Sequence, residues 1–240
     1  LSRGSFFPVA GAAFSAGLLA VVVVFAGVYT FLPGVVGGVV ARSVQDWLNL
    51  QRPPEVRLRS DPPPAMLLGE FSGGRVVMEG AEFGGLRTRR VEVMLEPFEV
   101  RVLRSLREGE LVPEGPISGD LRVVVSEEEI SRVARLDSRV SRVDVRPGGV
   151  FVGSDVDILG NELPFAVRGG LSVREGRLVF TPGSVYIAGA PLPRRVSSRM
   201  LEGVRFVYRL EGFPEGTEIT GVRTLDGRIL LTGRIEGILG

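Results

Sequence analysis

The sequence predicts an α+β chain of mostly antiparallel β structure behind an N-terminal transmembrane helix. Three observations carry this reading. Residues 6–33 contain no charge. After residue 55 the apolar pattern changes its period from about 3.6 to 2. Turn signals then recur at short intervals, as expected of a meander rather than of βαβ units. With 44% hydrophobic residues and a mean hydropathy of +0.24, the composition is that of a membrane-tethered globular protein.

Residues 9–32, following Pro8, would form a helix of roughly 36 Å at ~1.5 Å per residue. That exceeds the ~30 Å hydrocarbon core, so the segment spans with some tilt. The only charge ahead of it is Arg3, and a basic flank favours the cytoplasmic side, which puts the rest of the chain outside. A cleaved signal peptide is the competing reading, supported by the small residues Ala26 and Gly27, but a convincing A-x-A pattern is lacking. The division is therefore residues 1–33 as an anchor and 34–240 as one extracytoplasmic domain.

After Pro33-Gly34, the residues Val36, Val40, Val44, Trp47 and Leu48 recur at helical spacing, with Arg42, Gln45, Asp46 and Asn49 mostly elsewhere. A core helix packed on a sheet and a helix lying at the membrane surface both fit. Pro53-Pro54 ends it. Val91, Val93 and Leu95 then share one strand face, with Glu92 and Glu96 opposite; beyond Pro97 the parity shifts to Phe98, Val100 and Val102, which predicts a bend or bulge. "LSVREGRLVF" reads as two strands about Glu175-Gly176, and "VRTLDGRILLTGRI" as a hairpin about Asp226-Gly227.

Two short helices interrupt the strands. In "LRVVVSEEEISRVARL", Ser126 is the expected N-cap, Glu129 completes a capping box, and Ile130, Val133 and Ala134 form the apolar side. Three consecutive acids on a helix point about 100° apart and cannot converge on one ion, so capping is their expected role. "PLPRRVSSRMLEG" starts at a proline, should bury Val196, Met200 and Leu201, and stops at Gly203. The strands before the two helices, "DLRVVV" and "SVYIAG", look like edges.

Composition excludes much chemistry. There is no Cys and no His, and every basic residue is Arg. Thiolates, disulfides, imidazole bases, Schiff bases and a Walker-type lysine are thereby absent. Apart from Arg3, 28 arginines balance 28 acids, so the domain has no general pull on nucleic acid. The remaining catalytic candidates are Asp155, Asp157 and Glu162; Asp155 and Asp157 share a strand face about 7 Å apart, a spacing compatible with glycosidase-type pairs. Exposed acids on an antiparallel sheet have the same pattern. No metal or other cofactor is expected.

The order of elements, with "PPEVRLRS", "GRVVMEGAEFGGLRTRRVEVML", "GVFVGSDVDILGNELPFAVRGGLSVREGRLVFTPGSVYIAGAPLP" and "LEGFPEGTEITGVRTLDGRILLTGRI", resembles the LmeA family of phospholipid-binding envelope proteins. The resemblance implies a strongly curved antiparallel sheet wrapping a helix, tubular and lipid-binding, around an apolar groove. It also implies a non-catalytic part in envelope lipid or lipoglycan handling, outside a bacterial cytoplasmic membrane. A β-sandwich scaffold that docks envelope enzymes would show the same alternation.

The physical case for a carrier is one of magnitude. Each acyl CH₂ brought from bilayer into water costs about 0.8 kcal/mol, so a sixteen-carbon chain costs on the order of 12 kcal/mol. A dry cavity removes that cost without reactive side chains. Candidate lining residues are the bulky ones on the inward faces: Trp47, Val91, Val93, Phe98, Phe151, Phe165, Phe180, Met200 and Tyr208. An ordinary packed core would use the same side chains. Arg194, Arg195 and Arg199 are candidates for phosphate headgroups, against a solvated helix face.

Overall fold

The computed structural model describes residues 37–38, 41–42, 45, 50, 52–108, 112–136, 140–158, 161–201 and 206–238. The expected anchor and most of the helix after it, including Trp47, lie outside this set. Among the described residues no helix is long and apolar enough to cross a membrane.

The strands are β1 (Glu55–Arg59), β2 (Glu70–Phe71), β3 (Gly73–Met78), β4 (Glu82–Phe83), β5 (Leu86–Arg87), β6 (Arg90–Leu95), β7 (Phe98–Glu99) and β8 (Ile117–Ser126), followed by β9 (Arg142–Arg146), β10 (Gly149–Ile158), β11 (Asn161–Arg174), β12 (Arg177–Ile187), β13 (Ala190–Pro191), β14 (Phe206–Arg209), β15 (Thr217–Leu225) and β16 (Arg228–Ile238). Three helices, α1 (Val102–Glu108), α2 (Glu127–Ala134) and α3 (Arg194–Leu201), and a 3₁₀ turn at Pro63–Leu68 complete the described elements. One six-stranded sheet has the order β1-β3-β6-β8-β16-β15; the other runs β13-β12-β11-β10-β9, with β14 also on β12. All of these pairings are antiparallel. The architecture is mostly antiparallel β with a curled, half-barrel sheet and few helices.

Alternation decides what is buried. Val91, Val123 and Leu231 stand directly opposite one another across β6, β8 and β16, and all three are fully buried. Burying each such side chain is worth ~1.5–3 kcal/mol. This row and its neighbours Val125, Ile229 and Val145 form the floor of the main core. Leu50, five residues beyond the helical residue Gln45, is buried in the same core.

Both expected hairpins are present. β11 and β12 meet at Glu175-Gly176, where both residues have positive φ (51° and 67°), as a two-residue hairpin turn requires. β15 and β16 meet at Asp226-Gly227. The parity shift at Pro97 has a different outcome from the expected bend or bulge. β6 ends at Leu95, and the chain leaves the large sheet to pair Phe98–Glu99 with Glu70–Phe71. There Phe98 stacks on Phe71, centroids 5.0 Å apart, in a small satellite core.

Two sequence expectations are corrected. The strands before the helices are interior, not edges: β8 lies between β6 and β16, and β12 has β11 on one side and β13 and β14 on the other. Val196 of α3 is 48% exposed while Ser197 is buried. The Ser197 hydroxyl donates to the carbonyls of Pro193 and Arg194, so its burial strands no polar atom.

Candidate functional site

α2 follows β8 without a linker because Ser126 belongs to both. Its backbone is extended (φ −78°, ψ 159°) and its hydroxyl accepts the Glu129 amide at 3.4 Å. Half of the expected capping box is thus present. The Glu129 carboxylate is directed elsewhere: it accepts the Arg87 amide at 2.7 Å and pairs with the Arg132 guanidinium. Glu127 accepts the Val145 amide at 2.6 Å, and Gly227 donates to the Val145 carbonyl at 3.0 Å. The acidic first turn therefore clamps α2 to β5 on one side and to the edge of β9 on the other. Hydrogen bonding from Arg132 and the Arg87 amide holds the Glu129 carboxyl below its ordinary range, against the opposing effect of burial.

Clamped in this way, α2 presents Ile130, Val133 and Ala134 to the concave face of the second sheet without filling the space between them. The result is an apolar cavity of about 290 Å³, near the lower edge of the ~300–1,000 Å³ usual for ligand pockets. Its sheet wall is built from Val150 and Val152 of β10, Phe165, Val167 and Leu171 of β11, and Phe180 of β12; Ile229 comes from the first sheet. Along β11 the lining runs from Phe165 to Leu171, roughly 20 Å at ~3.3 Å per residue.

Burial varies along this trough. Val150, Val167, Phe180 and Ile229 in the middle are buried, while Phe165 and Ser154 at one end and Leu178 and Tyr208 at the other are half-buried. Solvent therefore reaches both ends.

A β-bulge shapes the wall. Arg168 faces Ser184 and Gly169 faces Pro182, leaving Gly183 over. One extra residue reverses which side chains point inward, so Leu178 and Phe180 are inward before the bulge and Val185 after it. Gly169 then accommodates the Phe180 ring, which lies 2.5 Å from where a β-carbon would stand. At the other end of the wall, Tyr208 turns its ring to the trough and its hydroxyl donates to the Gly84 carbonyl at 3.2 Å. Burial pushes the phenol up from its ordinary value. Gly84 has φ 55°, and a β-carbon there would stand 2.4 Å from the Glu211 carbonyl; only glycine permits this approach. Phe83 stacks on Phe213 at 4.5 Å beside it.

Of the residues singled out from the sequence, Phe165, Phe180 and Tyr208 come together on the trough. Val91 and Val93 pack in the main core and Phe98 in the satellite core. Phe151 turns to the outer face of the second sheet, where the guanidiniums of Arg146 and Arg168 lie 5.0 and 5.6 Å from its ring centroid. Arg194 and Arg195 are exposed on α3. The side chains of Asp155, Asp157, Glu162, Arg199 and Met200 lie outside the described residues, as does Trp47. Sequence reasoning missed Val150, Val152 and Val167 as lining, although their alternation was visible, because it favoured bulky aromatics. It had no signal for the bulge beyond Pro182-Gly183.

An antiparallel β chain whose solvent-reached trough is apolar apart from Ser154 and Tyr208 has the shape and chemistry to receive an apolar chain. The chain belongs to the LmeA-like phospholipid-binding family, whose sequence profile matches residues 27–234. That membership supports lipid binding. No curated protein and no solved structure matches the chain.

Proposed function

We propose that this protein carries or presents phospholipid by lodging an acyl chain in the trough. It does so without catalysis, in the service of envelope lipid or lipoglycan maturation. In this reading an anchor within residues 1–33 holds the domain on the extracytoplasmic side of a bacterial cytoplasmic membrane. The observation that carries it is the roughly 20 Å apolar trough, in a chain of a phospholipid-binding family. Each methylene sheltered there recovers about 0.8 kcal/mol of the cost of leaving the bilayer. Tethering by such an anchor would serve the same end, since an anchored domain meets lipid at high effective concentration. A chain without His, Cys or Lys is adequate for such work.

The test is to fill the trough. Leu171 is half-buried on its wall, so Leu171→Trp adds bulk where a chain would lie while the buried middle is left intact. Native mass spectrometry of the purified protein should find bound phospholipid in the wild type, and at least about tenfold less in the variant, a loss of ~1.4 kcal/mol. Undiminished lipid in a folded Leu171→Trp protein would refute the reading.

A further inference from the structure

The face of α2 that turns away from the trough borders a second, open depression of about 470 Å³, lined by polar and charged residues whose aliphatic stems also contribute to its surface. Three guanidiniums line it, from Arg87, Arg89 and Arg132, together with the carboxylates of Glu128 and Glu129. The two hollows are neighbours by construction. Leu86 lines the trough and Arg87 the polar depression; Ile130 lines the trough, while Glu129 and Arg132 on the same helix line the depression. Tyr208 and Arg132 bracket the boundary: the tyrosine hydroxyl donates to the Gly84 carbonyl and Arg132 Nη2 to the Gly85 carbonyl.

Three arginines against Glu128 and Glu129 leave the depression a net charge of +1, with Glu82 standing across from Arg87 in the β4-β5 ladder. Glu129 is engaged by Arg132 and the Arg87 amide. The Arg87 and Arg89 guanidiniums, both on exposed residues, make no ion pair among the described residues. The forked guanidiniums of Arg87, at the end of β5, and Arg89, in the bend before β6, suit a phosphodiester, which accepts bidentate hydrogen bonds. An apolar channel alone gives no preference for a phospholipid over a neutral diacylglycerol, because the tails are the same.

From this juxtaposition we infer that the hollow formed by Arg87, Arg89 and Arg132 is the headgroup site, taking the phosphate of a lipid whose tail enters the trough at the Tyr208 end. The inference rests on the acyl-chain reading of the trough and adds to it the place where the headgroup phosphate is held. It also moves the headgroup contact from α3, where the sequence suggested Arg194, Arg195 and Arg199, to the far side of α2.

The experiment compares dioleoylphosphatidylglycerol with dioleoylglycerol, which share tails and differ in the phosphodiester, for transfer from neutral vesicles to the full-length protein. The wild type should prefer the phospholipid by at least about tenfold. The double variant Arg87→Gln, Arg89→Gln changes two exposed side chains, so its melting temperature should match the wild type. It should take up the phospholipid no better than dioleoylglycerol, the internal reference. A retained preference in the double variant, or none in the wild type while both lipids are taken up, overturns the headgroup site and leaves the trough standing. Uptake of neither lipid overturns the acyl-chain reading and the headgroup site with it. Glycerol 3-phosphate serves as the tail-less probe. If it binds as tightly as the phospholipid, the hollow is a site for free phosphate esters and the inference falls.

Discussion

Glu129 shows how much one side chain does when a helix starts directly from a strand. Its amide is capped by Ser126, while its carboxylate, only 12% exposed, accepts the Arg87 amide and the Arg132 guanidinium. Removing the charge should therefore loosen β5 from α2. Because the folded carboxyl lies below its unfolded value of ~4.3, its contribution is complete above that value and disappears as pH falls through the lowered one. Arg132 is half-exposed, so solvent screens the pair and the contribution is smaller than that of a fully buried one. Glu129→Gln should melt below the wild type at neutral pH, with the gap closing as acidification takes the pH below the ordinary carboxylate range and through the lowered folded value. A gap of the same size at both pH values, in parallel thermal melts, would show that the charge is irrelevant and only the shape mattered.

Among elements, α2 was the most legible in the sequence because its signals are local. Ser126, the acids behind it and the Ile130–Val133–Ala134 spacing all lie within nine residues. Ser126→Ala should cost about 1 kcal/mol, read as a lower urea midpoint with an unchanged slope; an unaltered midpoint would mean that the clamp by Glu127 and Glu129 holds the helix start alone. The acids were expected to act on the helix dipole, and their second role as acceptors for Arg87 and Val145 was not visible, since those partners come from separate strands. α3 misled for a related reason. Counting apolar residues favours Val196 as the inward side chain, but docking on β12 turns Ser197 inward, and a serine that satisfies its hydroxyl on its own helix can be buried cheaply. Strand existence was readable from alternation, as at β6 and β10. Strand order was not, because β8 takes as its neighbour β16, about a hundred residues later, and nothing local encodes such a pairing.

Across the whole molecule, alternation shows which residues face inward but not whether they meet. The cavity exists because α2 is held by its acids at a distance that Ile130 and Val133 do not span, a difference between two surfaces that no single segment carries. Phe180 was recognised as inward, yet its place over Gly169 depends on the surplus Gly183 three residues on in its own strand. The half-burial of the lining at both extremities has a consequence for selectivity. A bore with two mouths is a gauge of girth rather than of length. In a series of lysophospholipids with tails from about ten to about twenty carbons, affinity should climb by ~0.8 kcal/mol per methylene while the bore fills and then level off. Surplus carbons simply emerge into water, and a steep drop for the longest tails in titration calorimetry would instead reveal a blind end. Branches and rings near the headgroup, which thicken a tail without lengthening it, are what such a passage turns away.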